Sequence, residues 1–228
     1  MITLDRVVPW GRSFDEYQRM FALTADDLDR RILGCADGPA AFNAEATRRG
    51  HRVVSCDPIY RFTRAQIEER IATTHDEVLA LTRQNIDKYM WADGIRSVEE
   101  LGQVRMAAMQ IFLDDFDSTT RAGRYVNAEL PSLPFANGAF DIALCSHFLF
   151  LYSAQLGEAF HLAALHEICR VAPEVRVFPL VSLGSEPSPF VDSCVDDLKQ
   201  LGYRATIERV AYEFQRGGNQ MLLVRWPA

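Results

Sequence analysis

The stretch from Arg31 to Asp57, which reads RILGCADGPAAFNAEATRRGHRVVSCD, decides how the rest of the chain folds. It holds a short apolar run, a turn of small residues from Gly34 to Ala40, a helical pattern, and a second apolar run that stops at an acid. Two parallel strands require a crossover of about a dozen residues or more between them. The stretch therefore predicts a strand, a tight turn, a helix and a second, parallel strand.

The small-residue turn and the terminal acid together predict a nucleoside site. Small side chains let a ligand approach the backbone, and the first turn of the helix presents its amides above the turn. Asp57 follows the second strand, about 20 residues after the turn, where a carboxylate can accept hydrogen bonds from ribose hydroxyls. Two alternatives stay open: Asp57 before Pro58 starts an ordinary turn, and Gly38 and Ala40 are small only for helix packing.

Composition limits the classes of protein and partner. The length of 228 residues suits a single domain, 1–228, with its own core. A formal net charge of −7 argues against a nucleic-acid partner, whose phosphates need cations. The five cysteines have no CxxC or Cys/His spacing, so we expect neither a disulfide framework nor a metal site. No signal-peptide pattern and no bilayer-length apolar run is visible, so we expect a cytoplasmic protein without a membrane partner.

The remaining periodicities predict helices on either side of this unit and more strands after it. Residues 1–30 are expected to form an N-terminal helical cover over the edge of the sheet, with a helix capped by Ser13. Residues 59–122 have helical periodicity and predict a helical insertion that acts as a lid. Phe140–His147 predicts a buried strand with polar groups at its carboxyl end, where ligands bind to parallel sheets. Two last strands joined across Arg216–Asn219 predict an antiparallel hairpin.

Four motifs, taken in order, resemble those of the class I S-adenosylmethionine-dependent methyltransferases. They are ILGCADGPA at 32–40, VVSCDP at 53–58, LPFANGAFDIALCSHFLF at 133–150 and YEFQRGGNQMLLV at 212–224. The resemblance covers nearly everything from Arg31 onward. It implies a three-layer, Rossmann-like α/β fold, whose seven-stranded and mostly parallel sheet ends in an antiparallel hairpin. It also implies S-adenosylmethionine as cofactor and methyl transfer to an acceptor as the reaction.

The resemblance also implies where the cofactor binds. The implied cofactor-binding residues are Gly34, Cys35, Ala36, Asp37, Gly38, Asp57, Pro58, Asn127, Ala128, Ser146 and His147. The chain departs from the family at Gly34, where an acid usually holds the amino group of the methionine moiety. Either Asp37 compensates, or that amino group rests on backbone carbonyls. Asn127 is otherwise a plain loop residue.

His147 is the candidate catalytic residue, because an imidazole titrates near neutral pH and can act as a general base. A hydrogen-bonded structural histidine is the alternative. Arg12, Tyr17 and Tyr152 are candidate substrate contacts. Aromatic residues around the predicted acceptor side favour a small or apolar small-molecule acceptor. Two other functions stay open, namely a non-catalytic S-adenosylmethionine-binding sensor or assembly protein and another nucleotide-dependent Rossmann enzyme.

Overall fold

The computed structural model of the chain describes residues 8–92, 94–116 and 123–227. Its strands are β1 (Arg31–Cys35), β2 (Arg52–Cys56), β3 (Tyr125–Val126), β4 (Ile142–Ser146), β5 (Glu174–Phe178), β6 (Arg204–Arg209) and β7 (Gln220–Arg225). Within the described ranges they form one seven-stranded sheet in the order β3-β2-β1-β4-β5-β7-β6. β7 runs antiparallel to β5 and to β6, and the other pairings are parallel. The predicted parallel sheet with an antiparallel hairpin is confirmed.

Helices cover both faces of this sheet. They are α1 (Phe14–Met20), α2 (Ala25–Leu28), α3 (Phe42–Arg48), α4 (Arg64–Gln84), α5 (Val98–Asp115), α6 (Glu158–Val171) and α7 (Val191–Gln200), with short 3₁₀ helices at Pro58–Arg61 and Ile86–Lys88. Helices α1 and α3 lie on one face, and α6 and α7 lie on the other. The predicted three-layer α/β fold is therefore confirmed. No helix in the described part of the chain combines the length and apolar character that a membrane crossing needs.

The two central strands explain why the apolar runs are continuous. β1 lies between β2 and β4, and its side chains alternate between the two faces. Ile32 and Ile142 belong to the core shared with α1 and α3, whereas Leu33 and Ala143 belong to the core shared with α6 and α7. Because helices cover both faces, the side chains on each side of these strands are buried, and the apolar runs are therefore continuous. The carboxyl ends of β1, β2 and β4 are thereby held in a rigid frame.

The N-terminal helix lies on a face of the sheet, beside α3, and not over its edge as the sequence predicts. Ser13 and Glu16 form a capping box that starts α1. The ring of Phe42 then stacks on Phe14 at 5.4 Å and on Tyr17 at 4.6 Å between centroids. The aromatic face of α1 is thus satisfied by α3. The first seven residues of the predicted cover lie outside the described residues.

The helical region predicted at 59–122 divides into two parts. Helix α5 packs against α3, and its Phe112 lies 5.5 Å from the ring of Tyr125 in β3, so it belongs to the helical layer. Helix α4 packs on α5 and exposes most of its residues. Residues 93 and 117–122 of this region lie outside the described residues. The role of the region as a lid stays a prediction.

A buried ion pair joins α1, α5 and the connection between β6 and β7. Arg105 Nη1 lies 2.7 Å from Glu16 Oε2, and their side chains are 0% and 4% exposed. Tyr212 donates its hydroxyl to the other oxygen of Glu16 at 2.8 Å. Burial alone would raise the pKa of Glu16, but the charges of Arg105 and Arg12 outweigh it and hold that pKa at about 2. The pair is therefore ionised in the folded protein.

We expect Arg105→Met to destabilise the fold by about 3–5 kcal/mol, because it leaves the Glu16 carboxylate buried without a cation. Urea unfolding measures the free energy of unfolding. The matched control is Arg83→Met, which removes an exposed pair with Glu99 and costs about 1 kcal/mol or less. The double variant Arg105→Met/Glu16→Gln should recover part of the loss. Equal stability of Arg105→Met and parent would contradict the structural role of the pair.

Candidate functional site

The carboxyl ends of β1, β2 and β4 open into a cavity of about 1070 Å³. Ligands of open parallel sheets bind at this end of the strands. The predicted site residues that line the cavity are Arg12, Tyr17, Ala36, Asp37, Gly38, Asp57, Pro58, Ala128, Ser146, His147 and Tyr152. Three predicted cofactor residues do not line it. Gly34 lies beneath the loop, Cys35 points into the core on the α6 side, and Asn127 is exposed beyond β3.

The loop after β1 folds back over the strand that it leaves. Its backbone is left-handed at Ala36 (φ +53°) and again at Gly38 (φ +54°). This conformation costs a non-glycine residue about 1–2 kcal/mol, so the surrounding contacts must hold Ala36 in place. The reversal sets the carboxylate of Asp37 on top of Gly34, where an added Cβ would lie 1.8 Å from Asp37 Oδ2. Position 34 therefore has to be glycine while Asp37 occupies this space.

Two hydroxyl groups hold the Asp37 carboxylate in that place. Tyr17 donates to Oδ1 at 2.8 Å and Ser55 donates to Oδ2 at 2.5 Å. Burial raises the pKa of Asp37 to about 6, although both hydrogen bonds act to lower it. No cation of the described residues forms an ion pair with this carboxylate. An acid thus stands above β1, and its compensation for the acid missing at position 34 stays a prediction.

Asp57 connects the end of β2 to the loop after β1. Its Oδ2 accepts the amide of Gly38 at 3.0 Å, and its Oδ1 accepts the amide of Ile59 at 2.8 Å. Burial raises the pKa of Asp57 to about 6, and the nearby charges of Asp37 and Glu129 add to this. The hydrogen bond from the Ile59 amide belongs to the turn that the sequence analysis gave as an alternative role of Asp57. A carboxylate has about four acceptor positions, so both oxygens keep capacity for a ligand.

Two residues that support the site were missed by the sequence analysis. Ser55 anchors Asp37, and its signal was a hydroxyl within the apolar run of β2. Tyr60 donates its hydroxyl to the carbonyl of Gly38 at 2.7 Å and so fixes the loop from the other side. No local pattern marks Tyr60, because its partner lies 22 positions away. Tyr17, expected to face a substrate, instead has its hydroxyl engaged by Asp37.

Ser146 and His147 end the central strand β4 at the cavity wall. His147 has a left-handed backbone (φ +53°), a strained conformation that concentrates at functional sites. Its amide donates to the carbonyl of Phe178 at 2.7 Å, and its Nδ1 lies 2.9 Å from Ser146 Oγ. Burial, with the charges of Arg12 and Arg105, lowers the pKa of His147 well below its usual value. The imidazole is therefore neutral at pH 7, and the lowered pKa makes it a weaker base than a free histidine.

Aromatic side chains form a further part of the cavity wall, the aromatic wall. The residues that contribute are Trp10, Tyr89, Phe148, Tyr152, Phe160 and Phe214. They come from the segment before α1, the segment between α4 and α5, the loop after β4, the first turn of α6 and the loop before β7. Aromatic rings of this kind can pack against a flat apolar ligand.

Solved methyltransferase structures resemble this chain. The bifunctional kinase-methyltransferase WbdD matches with a TM-score of 0.50 and 13% identity, over 93% of this chain and 38% of that one. The magnesium protoporphyrin IX methyltransferase ChlM of Synechocystis PCC 6803, solved with S-adenosylhomocysteine, has a TM-score of 0.48 and 10% identity over 94% of both chains. The strand order and the likeness to WbdD together give the class of fold. The chain has the class I methyltransferase fold.

One relative places the chain in a family. The chain belongs to the same family as the Methanocaldococcus jannaschii protein described as "uncharacterized protein MJ0045", with 33% identity over 225 residues and 98% of each chain covered. No protein-family model matches the chain.

The raised pKa of Asp37 predicts a pH effect on the stability of the ligand-free protein. An unfolded aspartate has a pKa of about 3.9, so between about pH 4 and 6 the folded state binds more protons than the unfolded state. The Asp37 carboxyl therefore contributes a gain in stability when the pH falls from 7 to 5, while the lowered pKa of His147 acts in the opposite direction. Asp37→Asn should remove about 1–2 kcal/mol of this gain, measured by urea unfolding at both pH values.

Asp57 acts in the same direction, so part of the pH dependence should survive in Asp37→Asn. The matched control is Asp196→Asn, an exposed acid on α7 that should leave the pH dependence unchanged. A parent that loses stability between pH 7 and 5 as fast as Asp37→Asn would contradict the raised pKa.

Proposed function

We propose that this protein is an S-adenosylmethionine-dependent methyltransferase that acts on a small molecule. One observation carries the proposal: two acids, the buried Asp37 above β1 and the half-buried Asp57 after β2, stand on the wall of one cavity at the carboxyl ends of the strands. S-adenosylmethionine has an ammonium group and a ribose diol that need two such acceptors. The class I methyltransferase fold and the motif order support the same function.

Each acid is prepared for a different part of this cofactor. Asp37 is held by neutral hydroxyls and lacks a cation, so an ammonium group would neutralise it and lower its pKa. Asp57 keeps open acceptor positions for the ribose hydroxyls while it fixes Gly38. Pro58 and Ala128 line the adjoining wall, where the adenine would lie. We include Ser146 and His147 as neighbours of the reacting end.

The protein's part in the reaction is mainly to position the acceptor. When bound, S-adenosylmethionine supplies an electrophilic methyl group on a sulfonium leaving group. The aromatic wall orients the acceptor for in-line attack and excludes water. If the attacking group must lose a proton first, the neutral imidazole of His147 would accept it at Nε2 in the tautomer that carries its proton on Nδ1, beside Ser146 Oγ. If no proton has to be removed, His147 serves only as part of the cavity wall.

Within the helical region, we propose α4 as the moving lid. Gln66, Glu69 and Arg70 of α4 line the cavity on its outer side. By contrast, the carboxyl end of α4 leads into a fixed segment, because Met90 donates its amide to the carbonyl of Phe214 at 2.7 Å. The helical region would then pivot on this attached end while α5 stays in the helical layer.

We expect S-adenosylhomocysteine to raise the melting temperature, because a ligand that binds only the folded state stabilises it. NAD and NADP should have no effect. Hydrogen bonds to a charged group contribute about 1.5–3 kcal/mol each, so Asp57→Ala should weaken S-adenosylhomocysteine binding by about tenfold to several hundredfold in calorimetric titration. Asp57→Asn should be intermediate. Asp196→Ala, far from the cavity, should bind like the parent.

A melting shift with NAD alone would refute the methyltransferase proposal. Undiminished binding by Asp57→Ala, with an intact circular dichroism spectrum, would refute the cofactor placement. Transfer of a labelled methyl group from S-adenosylmethionine to small molecules of a cell extract separates an enzyme from a sensor. The parent should label a product, and His147→Ala should keep cofactor affinity within about threefold while it lowers turnover if the base role holds.

Hydrogen exchange tests the proposed lid. Amides of α4 should exchange faster than those of α5 in the free protein and slow when S-adenosylhomocysteine binds, because α4 is largely exposed and α5 is packed in the helical layer. Helix α5 serves as the internal control within the same spectrum. Equal and core-like protection of both helices in the free protein would make α4 a fixed part of the scaffold.

A further inference from the structure

Arg12 brings a guanidinium group to the cavity wall with most of its donors unused. Its Nη1 donates to the carbonyl of Trp10 at 2.5 Å, and its Nε is buried without a hydrogen-bond partner. A guanidinium has five N–H donors, and an unsatisfied buried donor is costly. No acid of the described residues lies within ion-pair distance of Arg12. The group is therefore held ready for an acceptor that the described residues do not supply.

Glu16, the carboxylate whose charge acts on Arg12, forms its ion pair with Arg105 and none with Arg12. Its Oε2 is occupied by Arg105 at 2.7 Å and by the Ser13 amide at 2.9 Å, and its Oε1 is occupied by Tyr212 at 2.8 Å. Two guanidinium groups thus share one carboxylate in this part of the protein. Burial and the charge of Arg105 both lower the pKa of Arg12, as expected for a cation without its own counter-ion.

Arg12 lines the cavity together with Trp10 and Tyr152 of the aromatic wall. Beyond the effect of burial, its charge lowers the pKa of His147 and also acts on the hydroxyl of Tyr152. The pKa values of Asp37 and Asp57 are set by burial, hydrogen bonds and other acids, without a cation. Arg12 therefore supplies a positive charge to the part of the cavity wall that includes His147 and Tyr152, where we propose that the acceptor binds.

We infer that the methyl acceptor is an aromatic or apolar molecule that carries a carboxylate group, and that Arg12 binds this group. This inference rests on the proposed function, because that function makes a methyl acceptor the second ligand of the cavity beside the cofactor. A planar guanidinium matches a carboxylate through two parallel hydrogen bonds, and the free donors of Arg12 can provide them. The aromatic wall then holds the apolar body. The sequence predicts a small or apolar acceptor, and the inference adds that this acceptor carries one carboxylate group.

The first arm of the test compares acids with their neutral amides. Benzoate, 2-naphthoate and indole-3-carboxylate are titrated calorimetrically into the parent saturated with S-adenosylhomocysteine, beside the three matching amides. At least one acid should bind about tenfold or more tightly than its amide, because the amide lacks the charge. Arg12→Gln should abolish this preference and Arg12→Lys should keep part of it. If no acid binds better than its amide, or if Arg12→Gln keeps the preference, the inference is wrong.

The matched control is Arg48→Gln, which removes the same charge from an exposed residue of α3 outside the cavity. It should keep the full preference for acids over amides. Arg12→Gln should fold, since the side chain of Arg12 makes a single hydrogen bond in the described structure. Its melting temperature without ligand should be no lower than that of the parent.

The second arm separates the acceptor's carboxylate from that of the cofactor. Arg12→Gln should bind S-adenosylhomocysteine and 5′-methylthioadenosine, which lacks the amino-acid part, within about threefold of the parent. If Arg12→Gln loses tenfold for S-adenosylhomocysteine alone, Arg12 binds the cofactor and the inference is wrong. A parent that fails to bind S-adenosylhomocysteine refutes the proposed function instead. The acids and amides, titrated without it, then still decide whether Arg12 forms an anion site.

Discussion

The carboxylate of Asp37 lies directly over Gly34, and the rest of the site depends on this contact. It requires a left-handed loop after β1, a glycine beneath the acid, and hydroxyl donors from two other elements. Tyr17 reaches it from α1 and Ser55 from β2. Helix α1 must therefore lie on the sheet face beside α3, because from the edge of the sheet Tyr17 would not reach the acid. A single carboxylate thus couples the N-terminal helix to the loop that opens the cavity.

Charge is arranged asymmetrically around the cavity. The acids Asp37 and Asp57 lie at the ends of β1 and β2, and both pKa values are raised to about 6. The Arg105 and Glu16 pair is neutral as a whole, and Arg12 adds a positive charge that acts on His147. A ligand pair with a positive group at one end and a negative group at the other would match this field. The buried pair therefore also sets how much positive charge remains for the cavity.

The sequence predicts the frame of the fold well and the contacts that complete the site less well. Periodicity and the small-residue turn identify β1, α3 and β2, because each depends on residues within one short stretch. The position of α1 does not follow from its own pattern, since an apolar helix face fits an edge and a face equally. The pair of Glu16 and Arg105 spans 89 positions, so no local pattern reveals it. No local pattern reveals the unpaired Nε of Arg12 either, because it depends on which groups the fold brings near that atom.

The steric relation between Gly34 and Asp37 limits the paths by which this loop can evolve. An acid at position 34 cannot coexist with the present Asp37, because the first side-chain atom would already overlap its carboxylate. Loss of Asp37 alone leaves the place above β1 without an acid. Each single step between the two arrangements therefore passes through a form with two colliding acids or with none. Related sequences should change both positions together, so that the pair behaves as one inherited unit.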